Sequence, residues 1–548
     1  MERPTKRAKT NEWAPYPPEM SEERAREYRD GKRARPLDLL LRSLGESKEA
    51  RTKITTKNVI HWFRNDLRLH DNTALQKASR MAKEADSLLI TLYLVSPQDY
   101  IAHSRSSNRV NFVFRTLGVL QKDLAQLDIP LVVDVVDERK NIQAHLLQMA
   151  REWNVSHIFA NMEYEVDEVR RDAKFVRGAI EHAISADFLH DQCIVAPGKL
   201  ESGAGRAYSV YSPWYRAFVA HVQKHPQTLD LAPRPERNSP NARKQLGHLF
   251  QQELPPIPHL FQLSPDVADR MKALWPAGEH EAMGRLQTFI AQRINRYQSD
   301  RNFPDAKATS CLSAHFAAGT LSPRLAVCKC REANMAKAIN KGDEGVVGYI
   351  GELAWRDFYK HVLCAFPHVG MSKPFKIEFS KLQWDQNPVF FDAWCNGKTG
   401  FPIVDAAMRQ LNHTGYMHNR CRMIVASFLS KHLMLDWRLG ERYFMEQLID
   451  GDMASNNGGW GFSASVGVDP QPYFRIFNPL LQSEKFAPEG EYIRTWVPEL
   501  ASVESKAVHA PYDRMDRASF AALGYPKPIV DHKTAREKAL ARYKAVSA

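Results

Sequence analysis

No run of about eighteen consecutive apolar residues occurs in the chain, so no segment has the length and hydropathy of a membrane span. Cysteine is scarce, seven in 548 residues. None of the spacings builds a disulfide framework, which points to a reducing compartment. Cys328 and Cys330 are the one close pair, and without a second pair or a partnering His they read as helix residues; no metal site is expected. The first residues lack the short apolar block of a secretory signal. Also missing is a G-x-G-x-x-G after the first strand-like run, where Trp62-Phe63-Arg64-Asn65-Asp66-Leu67-Arg68 stands instead, so a conventional NAD site is not expected.

What is present begins with charge. The chain carries a net +12, which suits a polyanionic partner. Residues 1–57 hold fifteen Lys and Arg against ten Asp and Glu, so about +5 sits there and the rest on the folded body. Two basic clusters, Lys6-Arg7-Ala8-Lys9 and Lys32-Arg33-Ala34-Arg35, read as a nuclear-import address in a disordered or helical tail. The patch Leu37-Asp38-Leu39-Leu40-Leu41-Arg42-Ser43-Leu44 inside it also suits mitochondrial targeting.

From Asn58 short apolar runs alternate with helical stretches. Val59–Phe63, Leu88–Val95, Leu131–Val136 and Val155–Ala160 read as strands of a parallel sheet, a Rossmann-like α/β domain over 58–195. Residues 196–280, rich in proline, read as a long connection. Residues 281–548 read as a helical domain, with helices expected over Met283–Tyr297, Pro323–Ile339, Val346–Cys364, Pro388–Gly397, Ile403–Leu411, Met417–Leu433 and Gly440–Leu448.

Within that domain Leu448 to Trp460 packs two carboxylates, two amides, two adjacent glycines and a Trp into a short stretch, a mixture that fits neither a core helix nor a solvated loop. Carboxylates two apart can meet a polyol or ring N–H, Gly-Gly admits close backbone approach, and Trp460 adds an aromatic plane. The competing reading is an Asp/Asn/Gly-rich turn between helices. Helical spacing puts Glu352, Trp355 and Arg356 on one side, an acid, a platform and a cation suited to a flat, partly polar ligand. Asn419 and Met423, four apart, share another face near Arg422. The run Thr309-Ser310-Cys311-Leu312-Ser313 can offer N–H and O–H donors to phosphate, or simply cap a helix.

Together these stretches resemble the photolyase/cryptochrome family. The resemblance runs from about Val59 to His532 and rests on WFRNDLRLHDN, SCLSAHFAAGTLSPR, ELAWRDFYKH, GKTGFPIVDAAMRQL, TGYMHNRCRM, DWRLGERYF, LIDGDMASNNGGWGF and PYFRIFNP. Within the family it is similar to class I cyclobutane pyrimidine dimer photolyases of the fungal type, which use reduced FAD and blue or near-ultraviolet light to split thymine dimers in DNA. The resemblance implies that Tyr297, Thr309, Ser310, Cys311, Leu312, Ser313, Tyr349, Arg422, Asp450, Gly451 and Asp452 hold FAD, with Arg422 paired to Asp450 and Asn456 beside the reactive flavin nitrogen. It implies a pocket for the flipped-out dimer at Glu352, Trp355, Asn419 and Met423. DNA contacts are implied at Arg301, Arg356, Arg420 and Gln482, and at Phe462, where bacterial relatives carry Trp. Trp384, Trp437 and Trp460 match the family's electron-transfer chain. His103 and Glu168 match folate-contacting positions, Asp167 stands where an Asn is found, and a matching Lys is replaced near Met371. A methenyltetrahydrofolate antenna is therefore expected, with a deazaflavin as the alternative. A monomer bound to ultraviolet-damaged DNA, in the nucleus and also the mitochondrion, completes the expectation.

Other members of the family act differently. Photolyases for (6-4) lesions place two His at the positions of Asn419 and Met423, whose proton transfer Asn and Met cannot perform. DASH-type cryptochromes carry Gln in place of Met423. The competing functional class is a cryptochrome-like light receptor with a regulatory protein partner; such sensors append long tails, whereas about fifty residues follow Leu500 here.

Overall fold

The computed structural model describes residues 20–334, 336, 338–504 and 506–547. They fall into two units, one made of Glu27–Gln292 with Ser310–Pro367, the other of Arg293–Thr309 with His368–Ala548 and the N-terminal stretch up to Arg26.

In the first unit, helix α1 (Pro36–Glu46) starts on a proline and buries Pro36, Leu37, Leu40 and Ser43. Five strands follow: β1 (Asn58–Phe63), β2 (Leu89–Val95), β3 (Leu131–Val135), β4 (Val155–Asn161) and β5 (Ser185–Leu189). They form one parallel sheet in the order β3-β2-β1-β4-β5. Strands β2 and β4 are buried along their whole length, as a parallel sheet covered on both faces requires. The four strands expected from sequence are present within two residues at each end. The fifth, Ser-Ala-Asp-Phe-Leu, has a mixed burial pattern and too little apolar periodicity to announce itself.

Helix α2 (Val166–Ile180) packs beside β5, and α1 packs onto it. Arg170 donates to the Tyr28 hydroxyl at 2.6 Å, and Arg51 pairs with Asp187 of β5. Within the N-terminal tail, short helices occupy Glu22–Arg29, Pro36–Glu46 and Lys48–Thr52. Of its basic clusters, Lys6–Lys9 lies outside the described residues, while in Lys32–Arg35 two guanidiniums pair with carboxylates at the surface, Arg33 with Glu27 and Arg35 with Asp38, each at 2.8 Å.

The sheet reverses direction of growth between β1 and β4, the place where doubly wound folds bind nucleotides at the carboxyl ends of the strands. Here side chains of the chain itself fill it. Asn161 donates to Asp66 at 2.6 Å and to Asn72 at 2.7 Å, while Arg64 pairs with Asp172 at 2.7 Å. Gly319, at φ +75°, lies so close that an added Cβ would stand 2.0 Å from the Asn65 carbonyl oxygen.

The proline-rich segment read as a connection contains helix α3 (Tyr211–Lys224), anchored by buried Trp214, Phe218, Val219 and Val222. Most of its prolines follow the helix, with Pro213 in its first turn, so composition averaged over the segment hides it. Helix α4 (Glu344–Ala365) ends this unit; Asp343 caps it by accepting from the Gly345 and Val346 N–H groups.

The second unit is helical, around one apolar core that includes Trp394, Met408, Leu429, Phe444 and Trp460. Helix α5 (Pro402–Thr414) closes on left-handed Gly415. Helix α6 (Asn419–Ser427) runs into a π-helical turn over Phe428–His432. Helices α7 (Trp437–Gln447) and α8 (Met453–Ser463) pack together, and α9 (Pro479–Phe486) and α10 (His532–Ser547) follow. Tyr543 is buried and donates to the Ala464 carbonyl at 2.6 Å, which pins the last helix to the core.

Candidate active site

The stretch Leu448–Trp460 is a turn followed by helix α8, so the sequence argument against a helix fails from Met453 onward. Asp452 caps the helix by accepting from the Ser455 N–H at 2.9 Å. The cap, on an extended Asp452, offsets part of the poor intrinsic propensity of the two asparagines and the glycines. The glycines divide by environment. An added Cβ at Gly461 would stand 2.8 Å from Gly467, so that residue serves backbone packing, whereas at Gly459 it would meet nothing within 4 Å.

Asp450 sits just before the cap. Its Oδ2 accepts from Arg422 at 2.8 Å, and its Oδ1 is buried with no hydrogen-bond partner. Asn456 donates its Nδ2 to the Glu441 carbonyl oxygen at 2.9 Å, so its own carbonyl is the group it presents. Asn457 donates to the Glu441 carboxyl at 2.8 Å. Burial raises that carboxyl to about 7 against the pull of Asn457 and Arg438. Trp460, in α8, lies edge-on to Phe444 at 5.2 Å and to Trp394 at 6.0 Å. Trp437 and Trp384 belong to the same core, Trp384 beside Tyr543 at 6.4 Å.

His418 caps α6 with its own ring, Nδ1 accepting from the Arg420 N–H at 3.2 Å. Burial and the Arg422 and Arg420 guanidiniums lower it to about 4, which keeps the imidazole neutral and able to accept. Arg420 donates to Asn302 at 2.7 Å and lies over Phe486 at 4.3 Å. Burial and then the neighbouring Arg301 cation lower its pKa, a like-charge pair that an anion would relieve. Asn419 is exposed, with half-buried Met423 one turn along the same helix; Phe462 and Gln482 are half-buried as well. Phe474 and Leu481, near Gln482 in sequence, are 61% and 58% exposed.

In the first unit, the buried Tyr349 donates its hydroxyl to Ser310 at 3.2 Å, and Cys311 takes a left-handed φ of +52°, uncommon for a residue with a side chain. The Ser313 hydroxyl is buried without a hydrogen-bond partner. On α4, Glu352, Trp355 and Arg356 are half-buried while Leu353, Ala354, Asp357 and Phe358 are buried, so the three share the helix's less buried side as their spacing predicts. Arg356 donates to the Gln192 carbonyl.

A separate cluster lies on the sheet domain. His103 Nε2 stands 2.9 Å from Glu168, and Arg139 Nη2 stands 3.0 Å from both Asp99 and Asp167. Burial would lower the His103 imidazole, but the Glu168 carboxylate outweighs it and lifts it to about 9. Ligand atoms of Asp99, His103 and Glu168 fall within 4.8 Å of one another; Arg139 and protonated His103 already supply that cluster with positive charge.

Residues 59–236 match the family model "DNA photolyase", and residues 349–545 match "FAD binding domain of DNA photolyase". The deoxyribodipyrimidine photo-lyase of Neurospora crassa is 51% identical over 543 residues, covering 96% of this chain and 88% of that protein. The chain belongs to the DNA photolyase family. A mitochondrial deoxyribodipyrimidine photo-lyase of Saccharomyces cerevisiae is 36% identical over 96% of this chain and 93% of its own length. A bacterial class III photolyase from Agrobacterium tumefaciens superposes with a TM-score of 0.77 at 33% identity, covering 90% of this chain and 98% of that one.

For this photolyase the parallel sheet and the helical content agree with the fold class read from sequence, and FAD is its cofactor. The photolyase FAD match begins at Tyr349, so Tyr297 and Thr309–Ser313 lie upstream of it. Of the photolyase positions singled out in sequence, the structure joins Arg422 to Asp450, Tyr349 to Ser310, and His103 to Glu168. Sequence reasoning missed Glu441, His418 and Arg139. Each acts through a partner far along the chain or through its own backbone surroundings, which no local motif displays. No helix of this photolyase is long and apolar enough to cross a membrane among the described residues.

Proposed function

We propose that the chain is a light-driven deoxyribodipyrimidine lyase that opens cyclobutane pyrimidine dimers in DNA. The observation that carries this reading is the FAD-binding match over a segment that holds a paired Arg422–Asp450 with a second, buried Asp450 oxygen left for a ligand. The chemistry that reduced FAD supplies when bound is light-driven donation of one electron to the dimer, returned once the two cyclobutane bonds have opened.

The residues present fit the cofactor. Buried polar atoms without partners cost free energy until something satisfies them, and Asp450 Oδ1 and Ser313 Oγ are two such atoms. The open side of Gly459 admits a flat group. FAD is held by Tyr297, Thr309, Ser310, Cys311, Leu312, Ser313, Tyr349, Arg422, Asp450, Gly451 and Asp452. Arg422 offsets the Asp450 charge so that the carboxylate can accept from ring or sugar donors. Asn456, with its Nδ2 engaged by Glu441, would offer its carbonyl to a protonated flavin nitrogen.

The lesion is held by Glu352, Trp355, Asn419 and Met423, with Phe462 as a second aromatic wall. Trp355 stacks on the extruded bases, worth about 1–3 kcal/mol per base; Glu352 hydrogen-bonds a thymine edge. Arg301, Arg356 and Arg420 bind phosphate and Gln482 a neighbouring polar group, with exposed Phe474 and Leu481 adding apolar contact. Trp384, Trp437 and Trp460 would form the route by which electrons reach FAD when it is bound and oxidised, outside each repair turnover. His103, Asp167 and Glu168 hold a methenyltetrahydrofolate antenna, a choice supported by the buried Glu168 carboxylate, which suits the N–H donors of a pterin edge. Residues 58–195 serve the antenna, 196–280 connect and 281–548 carry catalysis. Residues 1–57 direct a monomeric enzyme to the nucleus and the mitochondrion.

The test is loss of dimer absorbance from ultraviolet-irradiated oligothymidine under blue light with reduced flavin. Turnover in light and none in the dark is expected; no turnover in light overturns the reading.

A further inference from the structure

Trp355 does not stand alone on its helix. Tyr211, the first residue of α3, lies against it with ring centroids 3.6 Å apart and planes inclined by only 8°. The Tyr211 hydroxyl donates to the Gly351 carbonyl at 2.8 Å, one turn before Trp355 on α4. One side chain thus grips the same helix at two points, by its face and by its oxygen. Phe358 and Tyr359 border the indole at 5.6 and 5.5 Å, inclined by 82° and 37°. The base of this arrangement is rigid, because Tyr211 stacks on Tyr215 at 5.5 Å and α3 is anchored by Trp214 and Phe218, 1% and 0% exposed.

A half-buried indole with two accessible faces could take a flat ligand on either side and would lose rotational freedom on binding. Covering one face removes that choice and settles the cost of ordering before the ligand arrives. We propose that Tyr211 is a positioning residue for the damaged bases: it occupies one face of Trp355, fixes the indole plane, and leaves a single face for the extruded dimer. The inference rests on the reading of Trp355 as the lesion platform. It places a determinant of lesion preference in the proline-rich segment between the sheet and the helical region, which no motif assigns to substrate.

The experiment uses the full-length, flavin-loaded protein and measures Kd for one duplex bearing a single thymine dimer and for the same duplex undamaged. The ratio of the two is the damage preference, read for wild type, Tyr211→Phe, Tyr211→Met and Trp355→Ala. Tyr211→Met removes the plane, and the preference falls by about tenfold through weaker dimer binding, with KM for repair rising more than kcat falls. Tyr211→Phe keeps the plane without the hydroxyl and restores the preference to within about threefold of wild type. A role confined to stability predicts the same loss on both duplexes. Should Tyr211→Met unfold, as judged by melting and flavin content, Tyr211→His, which keeps a smaller plane, replaces it and is expected to fall between Phe and wholly non-aromatic side chains. Wild-type preference in Tyr211→Met beside a loss in Trp355→Ala overturns the role of Tyr211 alone, as does equal loss in Tyr211→Phe and Tyr211→Met. Wild-type preference in Trp355→Ala overturns the platform reading and this inference with it.

Discussion

Asp450 shows how one carboxylate can be divided between two tasks: one oxygen is held by Arg422 at 2.8 Å, the other is buried and without a hydrogen-bond partner. Asp450→Asn keeps the shape and removes the charge, so it weakens both the ion pair and the acceptor. FAD retention should fall by tenfold or more, since charge-assisted bonds contribute about 1.5–3 kcal/mol. The flavin-to-protein absorbance ratio after exhaustive dialysis checks this. Glu441 makes a prediction in pH. Burial lifts its carboxyl in the folded protein from an ordinary 4.5 to about 7. A raised folded-state value means that the linked stability is fully present below the ordinary value and is lost as pH rises through the folded one. Glu441→Gln should therefore flatten the stability profile of wild type across that interval. Asp357 and Glu163 titrate there too, both raised to about 7, so the difference between variant and wild-type denaturant midpoints is the quantity to read.

Among the elements, α7 and α8 meet at a contact that depends on a missing side chain. A Cβ added at Gly440 would stand 2.1 Å from the Trp460 ring and 2.6 Å from Leu429. Both neighbours lie in the buried core and cannot swing out. Gly440→Ala should destabilise by about 1–3 kcal/mol despite the better helix propensity of Ala, seen as a lower urea midpoint together with a shift of tryptophan emission. The same contact shows what sequence could not display. The Asp-Gly-Asp and Gly-Gly pattern marks an unusual segment, yet whether a given glycine faces backbone, ring or open space depends on α7 and the loop at Gly467. Strand β5 and helix α3 escaped for a different reason. The first is too short for a periodic signal, and the second shares its segment with prolines that, Pro213 in its first turn apart, fall outside it.

For the molecule as a whole, the net charge of +12 bears on association with DNA. Arg301 and Arg420 form a like-charge pair, and burial followed by that repulsion lowers the Arg420 pKa. Replacing one phosphate-binding cation should weaken binding to all DNA sequences alike. Arg420→Gln is accordingly expected to reduce the slope of log K against log salt by about 1 while leaving damage preference in place. Measuring Kd at several salt concentrations, with and without a dimer, separates this effect from that of Trp355.

The sequence by itself determined the parallel sheet, because strands buried on both faces are written as continuous apolar runs. It determined the helical half through apolar periodicity, and membership of the photolyase family through motifs spread over most of the chain. Pairings across long separations were decided only by the tertiary structure. His103 meets Glu168 beside Arg139, and Tyr211 covers Trp355 although 144 positions separate them. Chain spacing governs which residues share a face, since backbone geometry is local. Which atom a side chain faces, and so which oxygen or ring face is left for a ligand, depends on packing between elements that the local pattern does not encode.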